Sequence, residues 1–171
     1  MKNRHRIFIA INLPGDVKKG LVFHTEKWSD LPAKWTKKDN LHITLEFLGN
    51  VSDEELLDVL KDTQELAEKH TSFNIKLDKI CYGPIRFGSG QATPRMVWAT
   101  GPKIEELNLI PHITLARIKK WDWNRIELDE RPQIDEDINL EFEVNSIEAM
   151  ESVLKKGGPE YIILESFELK S

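Results

Sequence analysis

The tetrapeptide His-Ile-Thr-Leu occurs twice in this chain of 171 residues, at positions 42–45 and again at positions 112–115. Five His and eight Thr would give roughly 0.2 His-x-Thr pairs if they were placed at random. Both copies lie in short runs of β-branched and apolar residues, which is the pattern of a β-strand. Because alternate side chains of a strand share a face, the His and Thr of each copy should point together, away from a core.

Each motif strand should therefore present an imidazole and a hydroxyl about 7 Å apart, at ~3.3 Å per residue. Two such groups can reach one small anion. The copies lie 70 residues apart, a period too long for a solenoid, and strand-like and helix-like sequence precedes each of them. The chain is predicted to be a loose duplication in which two α+β halves each give one motif strand to a shared cleft.

The remaining sequence predicts an alternation of strands and helices. Ser52 followed three positions later by Glu55 is a capping box, which predicts a helix from there to about Lys69. A Gly- and Pro-rich stretch at 83–94 predicts a turn or a mobile loop. The other predicted elements are strands at 6–13, 73–82, 95–100, 140–152 and 161–169, a helix at 16–28, at most a turn or two of helix at 103–108, and a short helix within 121–133.

Length and composition favour a single domain covering residues 1–171, with 40% hydrophobic residues to form a core. The net charge of −5 argues against binding of long nucleic-acid backbones but leaves recognition of one terminal phosphate open. No stretch approaches the ~18 apolar residues of a membrane span. The basic first residues are not followed by the pattern of a signal peptide, so a cytoplasmic location is expected.

Several residues of reactive type carry no pattern of their own. Cys81 is the one cysteine, which excludes an internal disulfide and a multi-Cys zinc site, and we interpret it as a small buried residue of a strand. His5, His24 and His70 are isolated in the sequence. They are predicted to lie at the surface or at helix ends.

Two imidazoles from facing strands can catalyse in-line attack at the phosphorus of a cyclic phosphodiester, which needs a base and an acid on opposite sides. A model imidazole titrates near ~6.5, so at neutral pH one ring can be neutral while the other carries a proton. We therefore predict His42 and His112 as the acid–base pair. The hydroxyls of Thr44 and Thr114 would donate to the non-bridging oxygens. Arg117 would add a cation near the phosphate, and the chemistry requires no metal or other cofactor.

Other interpretations of the same residues remain open. A metal site could use His42, Glu46 and His112, because Glu46 falls on the face of His42 in a regular strand; the corresponding position of the second copy, however, is Ala116. In a regular strand Arg117 falls on the face opposite His112. An ion pair within the protein is therefore an equally good interpretation of that residue.

The paired motifs and their flanks resemble the two-histidine (2H) phosphoesterase superfamily, whose hallmark is a pair of His-x-Thr/Ser-x motifs. More narrowly, the sequence is similar to the RNA 2',3'-cyclic phosphodiesterases, formerly called 2'-5' RNA ligases. The likeness covers most of the chain. The residues that carry it are 6–11, 41–49, 94–99, 111–117, 158–161 and 167–169.

The resemblance implies an α+β fold of two pseudo-symmetric lobes, with antiparallel sheets facing a central cleft and helices on the outside. It implies metal-independent hydrolysis of 2',3'-cyclic phosphate ends of RNA or nucleotides to a 2'-phosphate. His42 would be the proton donor to the leaving 3'-oxygen, and His112 would be the base that activates water. A weaker 2'-5' RNA ligation at the same site and a monomeric protein are also expected.

The sequence departs from the family in the connection before the second motif. Family members usually have a full helix there, whereas only residues 101–110 are available here. Two other functions stay open on sequence grounds. One is a non-catalytic module that binds nucleotides in the same pocket, and the other is a related hydrolase that acts on a cyclic ADP-ribose phosphate or an oligoadenylate.

Overall fold

The computed structural model describes residues 3–88 and 91–171 of the chain. Most of these residues form antiparallel β-structure, and helices are few. None of the helices in this part of the chain is long and apolar enough to cross a membrane. The elements are β1 (Arg4–Asn12), α1 (Gly15–Thr25), β2 (Ala33–Trp35), β3 (His42–Ser52), α2 (Asp53–Glu68), β4 (Phe73–Tyr82), β5 (Ile85–Gly88), β6 (Gln91–Pro94), β7 (Met96–Thr100), β8 (His112–Ile118), α3 (Lys120–Asn124), β9 (Asp135–Val144), β10 (Ser146–Lys155) and β11 (Gly158–Glu168).

The chain divides into two compact units, each assembled from separate stretches of sequence. The first unit takes residues up to 13 together with 42–75 and 142–171, and the second takes 14–41 and 76–141. Each unit contains one copy of the repeated motif, as the duplication predicts. Neither unit is a continuous half of the chain, because the chain passes from one unit to the other four times.

The first unit is built on a four-stranded antiparallel sheet in the order β11-β10-β1-β3. Helix α2 packs against all four strands. The side chains of Ile7, Ile9 and Ile11 on β1 are almost completely buried, as is Ile43 on the neighbouring strand. Phe8 and Ala10, on the other face of β1, are buried as well, so β1 is buried on both faces, as the apolar run at 6–13 predicts.

The second unit is built on a five-stranded sheet in the order β2-β8-β7-β4-β9, and β5 and β6 form a separate hairpin. The strands next to the second motif pair antiparallel. The motif residue Ile113 and its neighbours Ile80, Val97 and Ala99 are fully buried on one face of this sheet. The opposite face carries the polar residues of the motif.

The capping box predicted at the start of α2 is confirmed. The backbone N–H of Glu55 donates to the Ser52 hydroxyl oxygen at 3.2 Å, and the backbone N–H of Ser52 donates to Glu55 Oε2 at 2.7 Å. Two of the free amide donors at the helix start are thereby satisfied. The helix ends at Glu68, one residue before the predicted end.

Two of the predicted elements are wrong. The single strand expected at 140–152 is two strands of different sheets, β9 and β10, separated at Asn145. The buried positions Phe142, Val144 and Ile147 show the reason, since the alternation shifts by one residue after Val144. The stretch at 83–94 is not a loop but contains the paired strands β5 and β6; residues 89–90 lie outside the described residues.

The connection at 101–110 forms a compact turn and not a helix. Ile104 and Leu109 exchange two backbone hydrogen bonds of 2.7 and 3.1 Å, and Ile104 is buried. The turn uses Asn108 in the left-handed region at φ 50°, a conformation that Asn tolerates better than most residues. A Cβ at Gly101 would lie 1.9 Å from the Lys76 carbonyl oxygen, so this close approach of two backbones requires glycine.

His5 is half-buried on β1 and contacts two carboxylates that its isolation in the sequence does not indicate. Its Nδ1 lies 2.8 Å from Glu151 Oε1 on β10, and its Nε2 lies 2.8 Å from Asp53 Oδ1 at the start of α2. Hydrogen bonds to Asp53 and then to Glu151 raise the pKa of His5 above its usual value, against the opposing effect of burial. His24, in the last turn of α1, and His70, shortly after α2, do lie at helix ends as predicted.

Replacement of His5 by Gln should destabilise the protein more at low pH than at high pH. The folded pKa lies above the unfolded value of ~6.5, so protonated His5 stabilises fully below that pH. The stabilisation is lost as the pH rises through the folded pKa. Urea denaturation of wild type and His5→Gln at about pH 6 and about pH 9 measures this difference. A difference in the free energy of unfolding that does not change with pH would contradict the proposed ion pairs.

Candidate active site

The first motif lies at the start of β3, where His42 pairs with Asn12 and Thr44 pairs with Ala10 of β1. Both motif side chains are half-buried and lie on the same face of the sheet, as the period of two predicts. The imidazole Nε2 lies 2.8 Å from Thr44 Oγ1. A protonated ring donates this hydrogen bond, so the hydroxyl orients Nε2 on the open face of the strand.

The His42 ring contacts two aromatic side chains of the same unit, which also contact each other. The ring centroid of Phe8 lies 4.9 Å away, and that of Tyr161 lies 5.2 Å away in an edge-to-face arrangement. Phe8 also packs with Ala10 and Met150 in a buried apolar cluster, against which Tyr161 lies. Edge-to-face contacts of this kind favour a defined ring orientation. The cluster therefore fixes the plane of the imidazole.

The second motif lies at the start of β8, where His112 pairs with Thr100 and Thr114 pairs with Trp98 of β7. The two motif side chains again share a face and are half-buried. The Trp98 ring lies 4.6 Å from the His112 ring at an angle of 34°. The Thr114 hydroxyl lies 3.7 Å from the Met96 sulfur. Each unit thus presents an imidazole beside an aromatic ring, with a hydroxyl two residues further along the strand.

A β-bulge follows the Thr of the first motif. The extra residue is Leu45, because Thr44 and Glu46 pair with adjacent residues of β1. A bulge shifts the alternation of faces by one, so Glu46 lies on the face opposite His42, and Phe47 lies on the same face. The alternative metal site therefore loses its carboxylate. Among the described residues, no group of three His, Cys, Asp or Glu side chains is arranged to hold a metal ion.

The second motif has the same bulge at the same position, with Leu115 as the extra residue. Thr114 and Ala116 pair with two adjacent residues of β7. Arg117 pairs with the β7 residue that lies two positions before the partner of Thr114. Arg117 therefore lies on the face of Thr114 and His112, whereas a regular strand would place it on the opposite face. Nowhere in residues 3–88 and 91–171 does a carboxylate form an ion pair with Arg117. The geometry of the described residues therefore gives no support to an internal ion pair, and the role of Arg117 stays a prediction.

Thr36, directly after β2, holds the second bulge in place. Its backbone N–H donates to the carbonyl oxygen of Leu115 at 2.9 Å, and its hydroxyl donates to the carbonyl oxygen of Thr114 at 2.8 Å. These two consecutive carbonyls lie where the bulge interrupts the ladder to β7. The sequence analysis gave Thr36 no role, because one Thr carries no signal until β2 is known to pair with β8.

Cys81 lies on β4 directly opposite Trp98, and it is half-buried. Burial, and to a smaller extent the charge of Asp135, raises the pKa of its thiol. The thiol is therefore a weak nucleophile near neutral pH. The next residue, Tyr82, has its pKa raised to about 12 by burial, and its hydroxyl donates to the carbonyl oxygen of Pro132 at 2.7 Å. Neither residue is suited to catalysis.

Replacement of Thr36 by Val keeps the β-branched shape and removes the hydroxyl donor to the bulge. The half-buried carbonyl of Thr114 then loses a partner, which should lower the free energy of unfolding by about 1–2 kcal/mol. Thr71→Val is the control, because Thr71 is exposed and makes only a backbone bridge; its effect should stay within ~0.5 kcal/mol. Equal effects of the two variants in urea denaturation would show that the Thr36 hydroxyl does not support the bulge.

Comparison with known proteins finds relatives along the whole chain. The family model described as LigT-like phosphoesterase matches residues 24–98. The RNA 2',3'-cyclic phosphodiesterase of Thermus thermophilus is 30% identical over 96% of this chain and 90% of that protein. The protein of the same name from Aquifex aeolicus is 29% identical over 80% of this chain and 82% of its own length. The crystal structure of the Thermus thermophilus protein TT0787 superposes with a TM-score of 0.78 at 28% identity, covering 97% of this chain and 98% of that one.

Proposed function

Since this chain belongs to the LigT-like phosphoesterases, the family of the RNA 2',3'-cyclic phosphodiesterases, we propose that it opens the 2',3'-cyclic phosphate of RNA ends or nucleotides to a 2'-phosphate. Membership makes the chain an enzyme and a hydrolase. The proposal concerns the substrate and the residues that act on it. The proposed substrate is the one in the names of the related proteins, which are 22–30% identical to this chain.

The observation that carries the proposal is a set of features that the two motif strands share. In each one an imidazole and a hydroxyl share a face, an aromatic ring packs against the imidazole, and a bulge follows the Thr. A surface strand with no task beyond solubility has no need for this combination twice. In-line displacement at phosphorus, by contrast, needs two proton-transfer groups with the same access to one phosphate.

In the proposed reaction, His112 acts as the base and His42 as the acid. Neutral His112 takes a proton from water while the water oxygen forms a bond to phosphorus. The bond from phosphorus to the 3'-oxygen breaks, and protonated His42 gives its proton to that oxygen. The products are a 2'-phosphate and a 3'-hydroxyl, and proton exchange with solvent restores both rings. The assignment of acid and base follows the family resemblance.

The neighbouring polar side chains stabilise the charge that develops on the non-bridging oxygens. The hydroxyls of Thr44 and Thr114 donate hydrogen bonds to these oxygens, and the guanidinium of Arg117 adds a positive charge and up to two further donors. The bulge at Leu115 supports this role for Arg117, because it brings that side chain to the motif face. No step requires a metal ion.

The same step with a 5'-hydroxyl in place of water would join two RNA ends through a 2'-5' linkage. We expect this ligation to be the weaker activity, because water is far more concentrated than RNA ends in any solution. The proposed partners are RNA termini and nucleotides that carry a cyclic phosphate. A monomer in the cytoplasm remains the prediction for the protein itself.

Replacement of either motif histidine by Ala should lower kcat/KM for a 2',3'-cyclic nucleotide by ~10²–10⁴-fold, the usual contribution of positioned proton transfer. The assay contains EDTA and identifies the product as a 2'-phosphate. His70→Ala serves as the control and should keep full activity.

Because one ring must carry a proton and the other must not, kcat/KM of the wild type should give a bell-shaped pH profile. Full activity of His42→Ala or of His112→Ala would refute the paired mechanism, and loss of activity in EDTA would refute its metal independence.

Assays of binding and turnover with several substrates separate the proposed enzyme from the two alternatives. A non-catalytic module would bind the cyclic nucleotide without turnover, and replacing its histidines by Gln would change the affinity little. A hydrolase for a cyclic ADP-ribose phosphate or an oligoadenylate would prefer that substrate over 2',3'-cyclic nucleotides at equal concentration. Intact motifs in both units favour catalysis over binding alone.

Replacement of Arg117 by Gln should lower kcat/KM by about 10- to 100-fold, because a charged hydrogen bond to the substrate is lost. Arg117→Lys should recover only part of the activity, since an ammonium group lacks the planar two-donor geometry. Arg125→Gln removes the same charge from an exposed position after α3 and is the matched control. If Arg117→Gln and Arg125→Gln behaved alike, the guanidinium would have no part in phosphate binding.

A further inference from the structure

A basic edge lies in the second unit, where β2 pairs with β8. The stretches 31–38 and 111–121 contain no Asp or Glu, although the chain as a whole carries a net charge of −5. All the cations of this edge are exposed, and in the described part of the chain none forms an ion pair. The basic edge consists of Lys34, Lys37, Lys38, Arg117, Lys119 and Lys120.

Lys34 lies directly opposite Arg117 in the β2–β8 register. Like charges directly opposite each other in a sheet destabilise the strand pair. Residues paired in this way point to the same side, so Lys34 shares the face of Arg117, Thr114 and His112. An anion held between the two cations would remove the repulsion. The pair of Lys34 and Arg117 is therefore suited to bind an anion beside the second motif.

An exposed aromatic side chain follows the basic edge in the chain. Trp121 follows Lys119 and Lys120 and is 86% exposed. Its segment is attached to the sheet edge, because the backbone N–H of Lys119 donates to the carbonyl oxygen of Pro32, just before β2, at 2.8 Å. Exposed aromatic rings interleaved with cations are characteristic of surfaces that bind single-stranded nucleic acid through stacking and phosphate contacts.

We propose that the basic edge binds the single strand of an RNA upstream of its cyclic phosphate end. Lys34 contacts the phosphodiester next to the terminal phosphate, and Trp121 stacks on a base of the same strand. The inference rests on the proposed function for the identity of the terminal group, and it adds a substrate preference. The protein acts better on an RNA oligonucleotide with a cyclic end than on a cyclic mononucleotide, which has no upstream phosphate.

A single strand fits these observations better than an acidic protein segment. Its phosphates can contact both Lys34 and Arg117 on the paired strands β2 and β8, and every base offers a face to stack on Trp121. An acidic segment would use the cations but would have no group that requires the exposed ring. The proposed contact involves this edge alone, so a short oligonucleotide should suffice.

Binding is measured first, by fluorescence anisotropy of a labelled single-stranded RNA of about six nucleotides that ends in a 3'-hydroxyl. Lys34→Gln should weaken binding roughly fivefold at low salt and reduce the slope of log Kd against log salt by about 0.7, the value for one phosphate contact on a single strand. Trp121→Ala should weaken binding about tenfold, as for the loss of one stacked base. This arm tests the inference whether or not the RNA is hydrolysed.

The second measurement is the ratio of kcat/KM for the oligonucleotide with a 2',3'-cyclic end to that for a 2',3'-cyclic mononucleotide. The ratio should exceed one in the wild type at low salt and should fall in both variants. Lys61→Gln and Leu57→Ala on α2 are the matched controls, because they remove an exposed charge and an exposed apolar side chain from the first unit. They should leave binding and the ratio as in the wild type.

The outcomes for the inference and for the proposed function are distinct. Absence of hydrolysis of both substrates by the wild type would overturn the proposed function. The inference would be overturned if RNA bound equally strongly to the wild type, Lys34→Gln and Trp121→Ala, even with full hydrolysis of both substrates. Weaker binding in the control variants as well would also overturn it, since the effect would then be one of overall charge or folding.

Discussion

The bulge after each His-x-Thr pair decides which side chains accompany the imidazole on its face of the sheet. The extra residue directly after Thr44 in β3 and the one directly after Thr114 in β8 reverse the alternation of the strand, so the position three after each Thr returns to the motif face. In the first unit that position is Phe47, over which the Arg6 guanidinium lies 5.3 Å from the ring centroid. In the second unit it is Arg117. The same backbone device therefore presents an aromatic ring in one unit and a cation in the other.

The bulges depend on hydrogen bonds from outside the motif strands. In the second unit, Thr36 satisfies two consecutive carbonyls that the interrupted ladder would otherwise leave without a protein donor. This explains why an edge strand of only three residues, β2, matters for the geometry of β8. The same short strand carries Lys34, so one element both supports the backbone of the motif and contributes charge to its face.

Charge is distributed unevenly in this molecule. An overall excess of acidic residues coexists with an edge of six cations whose two stretches of sequence contain no acidic residue, although Asp30, Asp39 and Asp122 border them directly. Some cations elsewhere are paired, as with Lys79 on β4, whose ammonium lies 2.6 Å from Asp135 on β9. The net charge of the whole chain therefore says little about which polymer a particular surface can bind. The pairing of β2 with β8 is what brings the two basic stretches together.

The sequence by itself determined the local features of this protein. The two-residue period of a β-strand established that His42 shares a face with Thr44 and that His112 shares a face with Thr114. The capping box located the start of α2. Both features depend only on neighbours within a few residues. The family, the α+β class and the antiparallel sheets also followed from the motifs and their flanks. That the two motif histidines act on one phosphate remains a proposal.

Only the tertiary structure decided the features that depend on a partner strand. A bulge exists only relative to the ladder beside it, so the faces of Glu46 and Arg117 could not be read from one strand. The division of 140–152 between two sheets, the opposition of Lys34 to Arg117 and the contacts of Thr36 likewise join residues far apart in sequence. The physical reason is the same in each case: hydrogen bonds between strands set the register, and the register sets which side chains meet.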